Sequence, residues 1–377
     1  MSFNKIDVTE IKGFLLGNAE NSDAGTGCTV IICPKGAVAG VDVRGGAPAT
    51  RETDLLRSEN TVECIHAVVL SGGSAFGLEA GSGVMQFLEK NNIGLPMGNV
   101  YVPIVTQASL FDLGVGSSEV RPDLEMGIEA CLAAYQGDFS NGNHGAGTGA
   151  SVGKCYGMDR AMKTGLGSFA CSDGDLQVGA ISAVNAVGDV YNGYNNIVAG
   201  LLDKNGKHIE GTIHCIKSDV TCKQDFNTDK KTEFKECENN EFESEKDQKE
   251  DENRTESYNI KSSEDDKENN KDEKKLKEMG YDISFNTTIS CLITNAALTK
   301  SQANKLASIL HDGYARAIKP VHGTMDGDTI FVMSTNEIPV NFDAFAALAT
   351  DIMQYAVIDG AVSAEDAYGL LSAHSVQ

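Results

Sequence analysis

Several short stretches of this chain carry residue types that can break a carbonyl–nitrogen bond. The first is Asn286-Thr287-Thr288, which follows a long charged stretch and opens the apolar run Ile289-Ser290-Cys291-Leu292-Ile293-Thr294. A hydroxyl at the mouth of a buried strand, delivered there by a hydrophilic segment, is the layout of a chain that cuts itself. In that reading the Thr287 hydroxyl attacks the Asn286 carbonyl, the peptide shifts to an ester, and water releases a new N-terminal threonine. Such a residue holds nucleophile and base together, because an α-amine titrates at about 7.7–8.0 and can take the hydroxyl proton near neutral pH. The same triplet is, more plainly, a loop ending where a β-branched strand starts.

The second stretch is Asp326-Gly327-Asp328, ahead of the strand-like Ile330-Phe331-Val332-Met333. If Gly327 turns, both carboxylates face one site and can orient a threonine hydroxyl and an ammonium. Otherwise it is an ordinary Asp-Gly turn. A calcium loop needs more oxygen ligands, and a glycosidase pair usually draws its carboxylates from separate elements. The third is His144-Gly145-Ala146-Gly147-Thr148-Gly149-Ala150, then Ser151-Val152-Gly153-Lys154. Glycines around Gly147 and Thr148 let the backbone approach a ligand, and Lys154 beside an amine would help keep that amine neutral. Two further sites offer donors to an anion or oxyanion. Ser71-Gly72-Gly73-Ser74-Ala75-Phe76-Gly77 joins a strand to a helix and presents backbone N–H groups, although close packing at a tight turn explains it as well. Asn185, in Val184-Asn185-Ala186-Val187-Gly188, ends a strand with an amide that can serve an oxyanion or a local turn.

Composition narrows the field. A formal net charge of −23 over 377 residues argues against nucleic acid and against an anionic membrane surface. No apolar run reaches the roughly 20 residues that span a bilayer, and Met1 to Lys12 does not read as a signal peptide. The ten cysteines form no C-x-x-C pair, and the seven histidines lack metal-ligand spacing. Reduced thiols of a cytoplasmic protein fit best, and a metal site is not expected.

The elements that must position these residues read as follows. Thr29 to Cys33 and Ala37 to Val43 suggest a hairpin around Pro34-Lys35-Gly36. Ala67-Val68-Val69-Leu70 is a buried strand leading into a helix through Leu78, Val84, Met85 and Leu88. Ala150 to Tyr191 suggests an antiparallel meander, and Thr287 to Asn295 another strand. A helix opens at the capping box Thr299-Lys300-Ser301-Gln302 and carries Leu306, Ile309, Leu310 and Ile318 on its apolar face. A last helix covers Phe342 to Ile358. Segregated strand and helix runs favour α+β layers. Residues 223–279 hold 20 acidic and 13 basic side chains with few aliphatic ones, so a disordered acidic linker of about 217–280 is expected to interrupt one domain. Outside residues 223–279, acidic residues still outnumber basic ones, 34 to 18.

In their joint order these stretches resemble the DmpA/BapA-type self-processing aminopeptidases, and most nearly the nylon-oligomer (6-aminohexanoate oligomer) hydrolase branch. The matching pieces are Gly25 to Val30, Val43-Arg44-Gly45-Gly46-Ala47-Pro48, Leu70 to Gly77, Val102 to Val105, Gly147 to Ala150, Val184 to Gly188, Asn286-Thr287-Thr288 and Asp326-Gly327-Asp328. The resemblance implies an αββα sandwich of the DmpA/ornithine-acetyltransferase type. It would be cut into residues 1–286 and 287–377, which stay together and assemble as a homo-oligomer, a tetramer or larger. It implies Thr287 as nucleophile of both self-cleavage and amide hydrolysis, Asp326 and Asp328 orienting it, Lys154 assisting, and Asn185 in the oxyanion hole. Substrates would be small amides, short peptides or amino-acid oligomers, with no metal or organic cofactor. Serine stands at the cut in the DmpA and BapA enzymes, and some members carry tyrosine where Phe111 stands, so the acyl group remains open. Two other readings remain: an acyltransferase of the ornithine-acetyltransferase plan, and an uncut shell binding a small anion at Ser71 to Gly77.

Overall fold

In a computed structural model, which describes residues 3–218 and 286–376, the strand residues alternate between two buried faces. Eight strands matter here: β1 (Leu15–Asn21), β2 (Thr26–Val43), β3 (Cys64–Ser71), β4 (Val105–Ser109), β5 (Leu166–Asp173), β6 (Leu176–Ala183), β7 (Ile289–Ala296) and β8 (Thr329–Ile338). Four helices cover them: α1 (Ala80–Lys90), α2 (Leu124–Gln136), α3 (Lys300–Ala317) and α4 (Phe342–Val362).

Period-two alternation sorts these strands' side chains into three cores. Val30, Ile32, Ala67 and Val69 pack with Val84, Leu88 and Ala130 of α1 and α2. Leu292, Ile330 and Val332 pack with Leu306, Leu310, Ile352 and Met353 of α3 and α4. The intervening residues, Ile31, Val68 and Leu70 against Ile181, Ile289, Ile293, Phe331 and Met333, share the middle core. Helix, sheet, sheet, helix is therefore the layering, an α+β architecture. It explains why the strands read as unbroken apolar runs: both faces are covered.

The strands follow the order β5–β6–β7–β8–β2–β3–β4, with β1 also on β2. The first half of β2 pairs with β1 and β3, and its end pairs with β8. Pro34-Lys35-Gly36 is thus not a hairpin turn. It lies where the register against β3 shifts, with Gly36 at φ 83, and the chain continues as one 18-residue strand. The expected meander is likewise divided. Only β5 and β6 form a hairpin in the main sheet, while Ser151–Val152 pairs with Met162–Lys163 and Asp189–Tyr191 with Ile197–Ala199 and Ile318–Lys319.

Thr299 and Gln302 close the capping box of α3, but the helix ends at Ala317, so Ile318 is not on its apolar face. Helix α4 runs on to Val362 and, by length and composition, is apolar enough to cross a bilayer, which the sequence reading did not expect. Its Phe345, Ile352, Met353 and Val357 line a core instead. The acidic linker lies almost wholly outside the described residues.

Candidate active site

Strand pairing brings together residues far apart in sequence. β7 and β8 are parallel neighbours, so the segments entering them lie side by side, with Asn286 bridged to Asp326. β6 runs antiparallel on the other side of β7, so the segment leaving it, Asn185, reaches the same end. The backbone N–H of Thr287 donates to the Asn185 carbonyl at 2.9 Å, and that of Gly327 to the Asn286 carbonyl at 2.8 Å. The Asn286–Thr287 peptide is therefore gripped from both sides.

Around it the side chains are buried. Thr287 Oγ1 donates to the Asn286 carbonyl at 2.5 Å. Gly327 leaves room for that hydroxyl: a Cβ there would stand 2.7 Å from it. Lys154 Nζ donates to Asn185 Oδ1 at 2.7 Å and to the Asn185 carbonyl at 3.1 Å, so the lysine reaches the oxygen that holds the Thr287 amide. Burial pushes the Lys154 ammonium down to about 7, against the opposing pull of Asp326 and Asp112. Burial, with the neighbouring Asp328, pushes the Asp326 carboxyl up to about 6, while the Gly323 N–H on its Oδ2 and the charges of Lys154 and His322 hold it back. Asp328 does not touch the Thr287 hydroxyl. Its Oδ1 accepts the Thr288 N–H at 2.8 Å, and its Oδ2 meets His322 Nδ1 at 2.8 Å.

The Val43 to Pro48 stretch frames this loop from behind. Arg44 N–H donates to the Asp328 carbonyl at 2.9 Å and Ala47 N–H to the Asp326 carbonyl at 2.8 Å.

Thr287, Asp326, Asp328, Lys154 and Asn185 thus lie around one peptide. Asn185, however, does not turn its amide to the Asn286 carbonyl. Its Nδ2 donates to the Phe111 carbonyl at 2.9 Å, and the N–H on the Asn286 carbonyl is that of Gly327. Phe111 enters the site through this backbone oxygen.

The glycine end of the expected anion turn has its donors taken. The N–H groups of Gly72, Gly73 and Ser74 donate to the Gly27 carbonyl, to Asp112 Oδ1 and to the Leu110 carbonyl, and Ser71 Oγ pairs with Ser109 Oγ at 2.7 Å. The turn wraps a buried carboxylate, which also accepts from Thr26 Oγ1 at 2.7 Å. Gly147 and Thr148 are similarly engaged: their N–H groups bond the His144 and Gly145 carbonyls, and the Gly147 carbonyl accepts from Lys163 Nζ.

Three residues escaped the sequence reading. Asp112 is pushed up to about 6 by burial. Lys163, fully buried, is pushed down to about 7, and Asp112 opposes the shift of both lysines. Their signal was available, since each is a lone charge inside an apolar run. The third, His322, sits just ahead of the Asp326 loop. Among the described residues no group of three His, Cys, Asp or Glu side chains is placed to hold a metal ion.

The model of peptidase family S58 matches residues 6–374. A Mycobacterium bovis protein described as an uncharacterized aminopeptidase is 30% identical, over 96% of this chain and 95% of its own length. A 6-aminohexanoate-oligomer endohydrolase from a Kocuria species is 28% identical, over 93% of this chain and 85% of its own. Among solved structures, the L-aminopeptidase D-Ala-esterase/amidase of Ochrobactrum anthropi, described as a variant of the Ntn hydrolase fold, has a TM-score of 0.60 at 16% identity, covering 95% of this chain and 86% of that one. A Burkholderia β-aminopeptidase has a TM-score of 0.58 at 16% identity, covering 97% and 89%.

Proposed function

This chain belongs to peptidase family S58, and from that premise we propose that it cuts itself between Asn286 and Thr287 and then hydrolyses amides with the freed threonine. That it is a peptidase or amidase follows from the family; the nucleophile and the self-processing are our reading. The observation that carries it is the peptide itself: a buried hydroxyl on the residue after Asn286, with the Asn286 carbonyl polarised by the Gly327 N–H at 2.8 Å.

In the first step a bond forms from Thr287 Oγ1 to the Asn286 carbonyl carbon, and the bond from that carbon to Thr287 nitrogen breaks. The hydroxyl proton ends on the departing nitrogen. Lys154, with its amine near neutrality and bonded to the carbonyl that holds the Thr287 N–H, supports the transfer. The Gly327 N–H faces the oxygen on which charge develops. Water then splits the ester, leaving an Asn286 carboxylate and a free Thr287 amine. In turnover the same hydroxyl attacks the carbonyl carbon of an amide substrate. Its own amine takes the hydroxyl proton and hands it to the substrate amine that leaves as the C–N bond breaks, and water then splits the acyl ester to release the acid and restore the hydroxyl. The relatives' names point to peptides with a free N-terminal residue and to ω-amino acid oligomers as the substrates to try first.

The two pieces would stay together, because residues 287–376 supply β7 and β8, and β7 is paired along its length between β6 and β8. Nothing favours the anion-binding shell, since the Gly72, Gly73 and Ser74 N–H groups of its turn are occupied. Intact mass under denaturing conditions tests the proposal. Two species divided at Asn286–Thr287 support it, and one uncut species after long incubation removes the amine the mechanism needs.

A further inference from the structure

We propose that His322 is a positioning residue that fixes the Asp328 carboxylate, and through it the backbone carrying Thr287. The inference rests on the proposed role of Thr287. Asp328 is held at both oxygens: Oδ1 by the Thr288 N–H at 2.8 Å, and Oδ2 by His322 twice, from its backbone N–H at 3.2 Å and its ring Nδ1 at 2.8 Å. Because the acceptor is a carboxylate oxygen, Nδ1 carries the proton in this contact. A side chain clamped in this way holds the peptide next to the nucleophile against rotation.

Three observations set this contact apart from an incidental ion pair. His322 has φ 61, a left-handed backbone that non-glycine residues adopt at a cost, and this backbone places both its N–H and its ring on one oxygen. The other ring nitrogen, Nε2, is buried and has no hydrogen-bond partner among the described residues, so among these the ring's one hydrogen bond is with Asp328. The ring is also walled in, 4.7 Å from the His311 ring edge-on and 6.2 Å from the stacked Tyr314 ring, centroid to centroid. Tyr314 in turn donates to Ser290 Oγ at 2.6 Å, so the wall is anchored on the strand that Thr287 enters. The hydrogen bonds of His322 among the described residues go to Asp328, so its effect travels through that carboxylate.

The test separates the ring's donor from the backbone geometry. Asn and Gly both tolerate positive φ, but only Asn keeps an N–H where Nδ1 stood. Wild type, His322→Asn, His322→Gly and Thr287→Ala are made in a cell-free translation system, and the cut fraction is followed by mass against time. The expected result is cutting within about 3-fold of wild type for the Asn variant and about 10–100-fold slower for the Gly variant, the scale of a small misplacement of reacting groups. Gly cutting at the wild-type rate, or Asn as slow as Gly, overturns the proposal. If the Gly variant does not fold, the isosteric pair His322→Asn and His322→Asp decides, since Asp offers no donor: equal rates overturn the proposal and a slower Asp variant supports it. Thr287→Ala guards the premise. If it is still cut at the same bond, the nucleophile reading fails, whereas an uncut Thr287→Ala beside a normal Gly variant sinks only the role of His322.

Discussion

Two glycine-rich turns of this molecule look alike on paper and do opposite things. Residues 71–77 wrap the buried carboxylate of Asp112, and the N–H groups of Gly72, Gly73 and Ser74 are all taken up within the protein. Residues 322–329 also pair glycines with carboxylates, but there the Gly327 N–H points across to the carbonyl of the next segment, at the Asn286–Thr287 bond. Glycine next to an acid signals close backbone approach. Whether that approach builds a fold or a reaction site depends on where the donors point, and only the neighbouring strand decides this.

The comparison can be broken at either turn, and the sharpest break is at the proposed nucleophile. Thr287→Ala should fold, stay uncut, and lose at least about 10³-fold of amide hydrolysis, since a site without its nucleophile keeps only residual catalysis. Mass and turnover measured on one preparation check this. Next, Gly327→Ala should slow cutting by about 10–100-fold, because the new Cβ would stand 2.7 Å from Thr287 Oγ1 and push the hydroxyl aside; it would also crowd the Ala47 carbonyl at 3.0 Å, so some stability is lost with it.

Gly72→Ala should do the reverse. Its Cβ would fall 1.9 Å from Asp112 Oδ2, an overpacking cost of about 1–3 kcal/mol visible in chemical denaturation, with the cutting rate of the folded fraction nearly unchanged. If Gly72→Ala slowed cutting as much as Gly327→Ala, the division between the two turns would not hold.

The smallest expected effect links the two turns. Asp112 favours the charged form of Lys154. If cutting needs neutral Lys154, its rate should rise with pH through about 7 in the wild type. Removing the carboxylate in Asp112→Asn lets burial act with less opposition, so the midpoint should move to lower pH. A midpoint that stays fixed or moves up would exclude neutral Lys154 as the group titrating in the rate.

Much of this was legible from residue order. The β7 strand, the capping box at Thr299, α4 and the α+β layering all come from apolar periodicity and cap chemistry, which act locally. The errors were at places where a local signal has two outcomes. Pro34-Lys35-Gly36 reads as a turn, yet β2 continues through it, because pairing with β3 on one side and β8 on the other keeps the chain extended. Asp112 and Lys163 went unread because a single charged residue among apolar neighbours does not reveal its partner, and His322 because a histidine ahead of a turn does not either.

The sequence alone therefore determined which groups are available: a threonine ahead of a buried strand, two carboxylates flanking a glycine, a lysine after a glycine-rich loop, and an asparagine at a strand end. Tertiary structure decided their roles. Parallel pairing of β7 with β8 and antiparallel pairing with β6 turned segments about forty and a hundred residues from Thr287 into its immediate neighbours. Burial then shifted Lys154 and Asp326 toward neutrality. Hydrogen-bond direction and desolvation depend on what surrounds a group in space, and no local pattern along the chain encodes either.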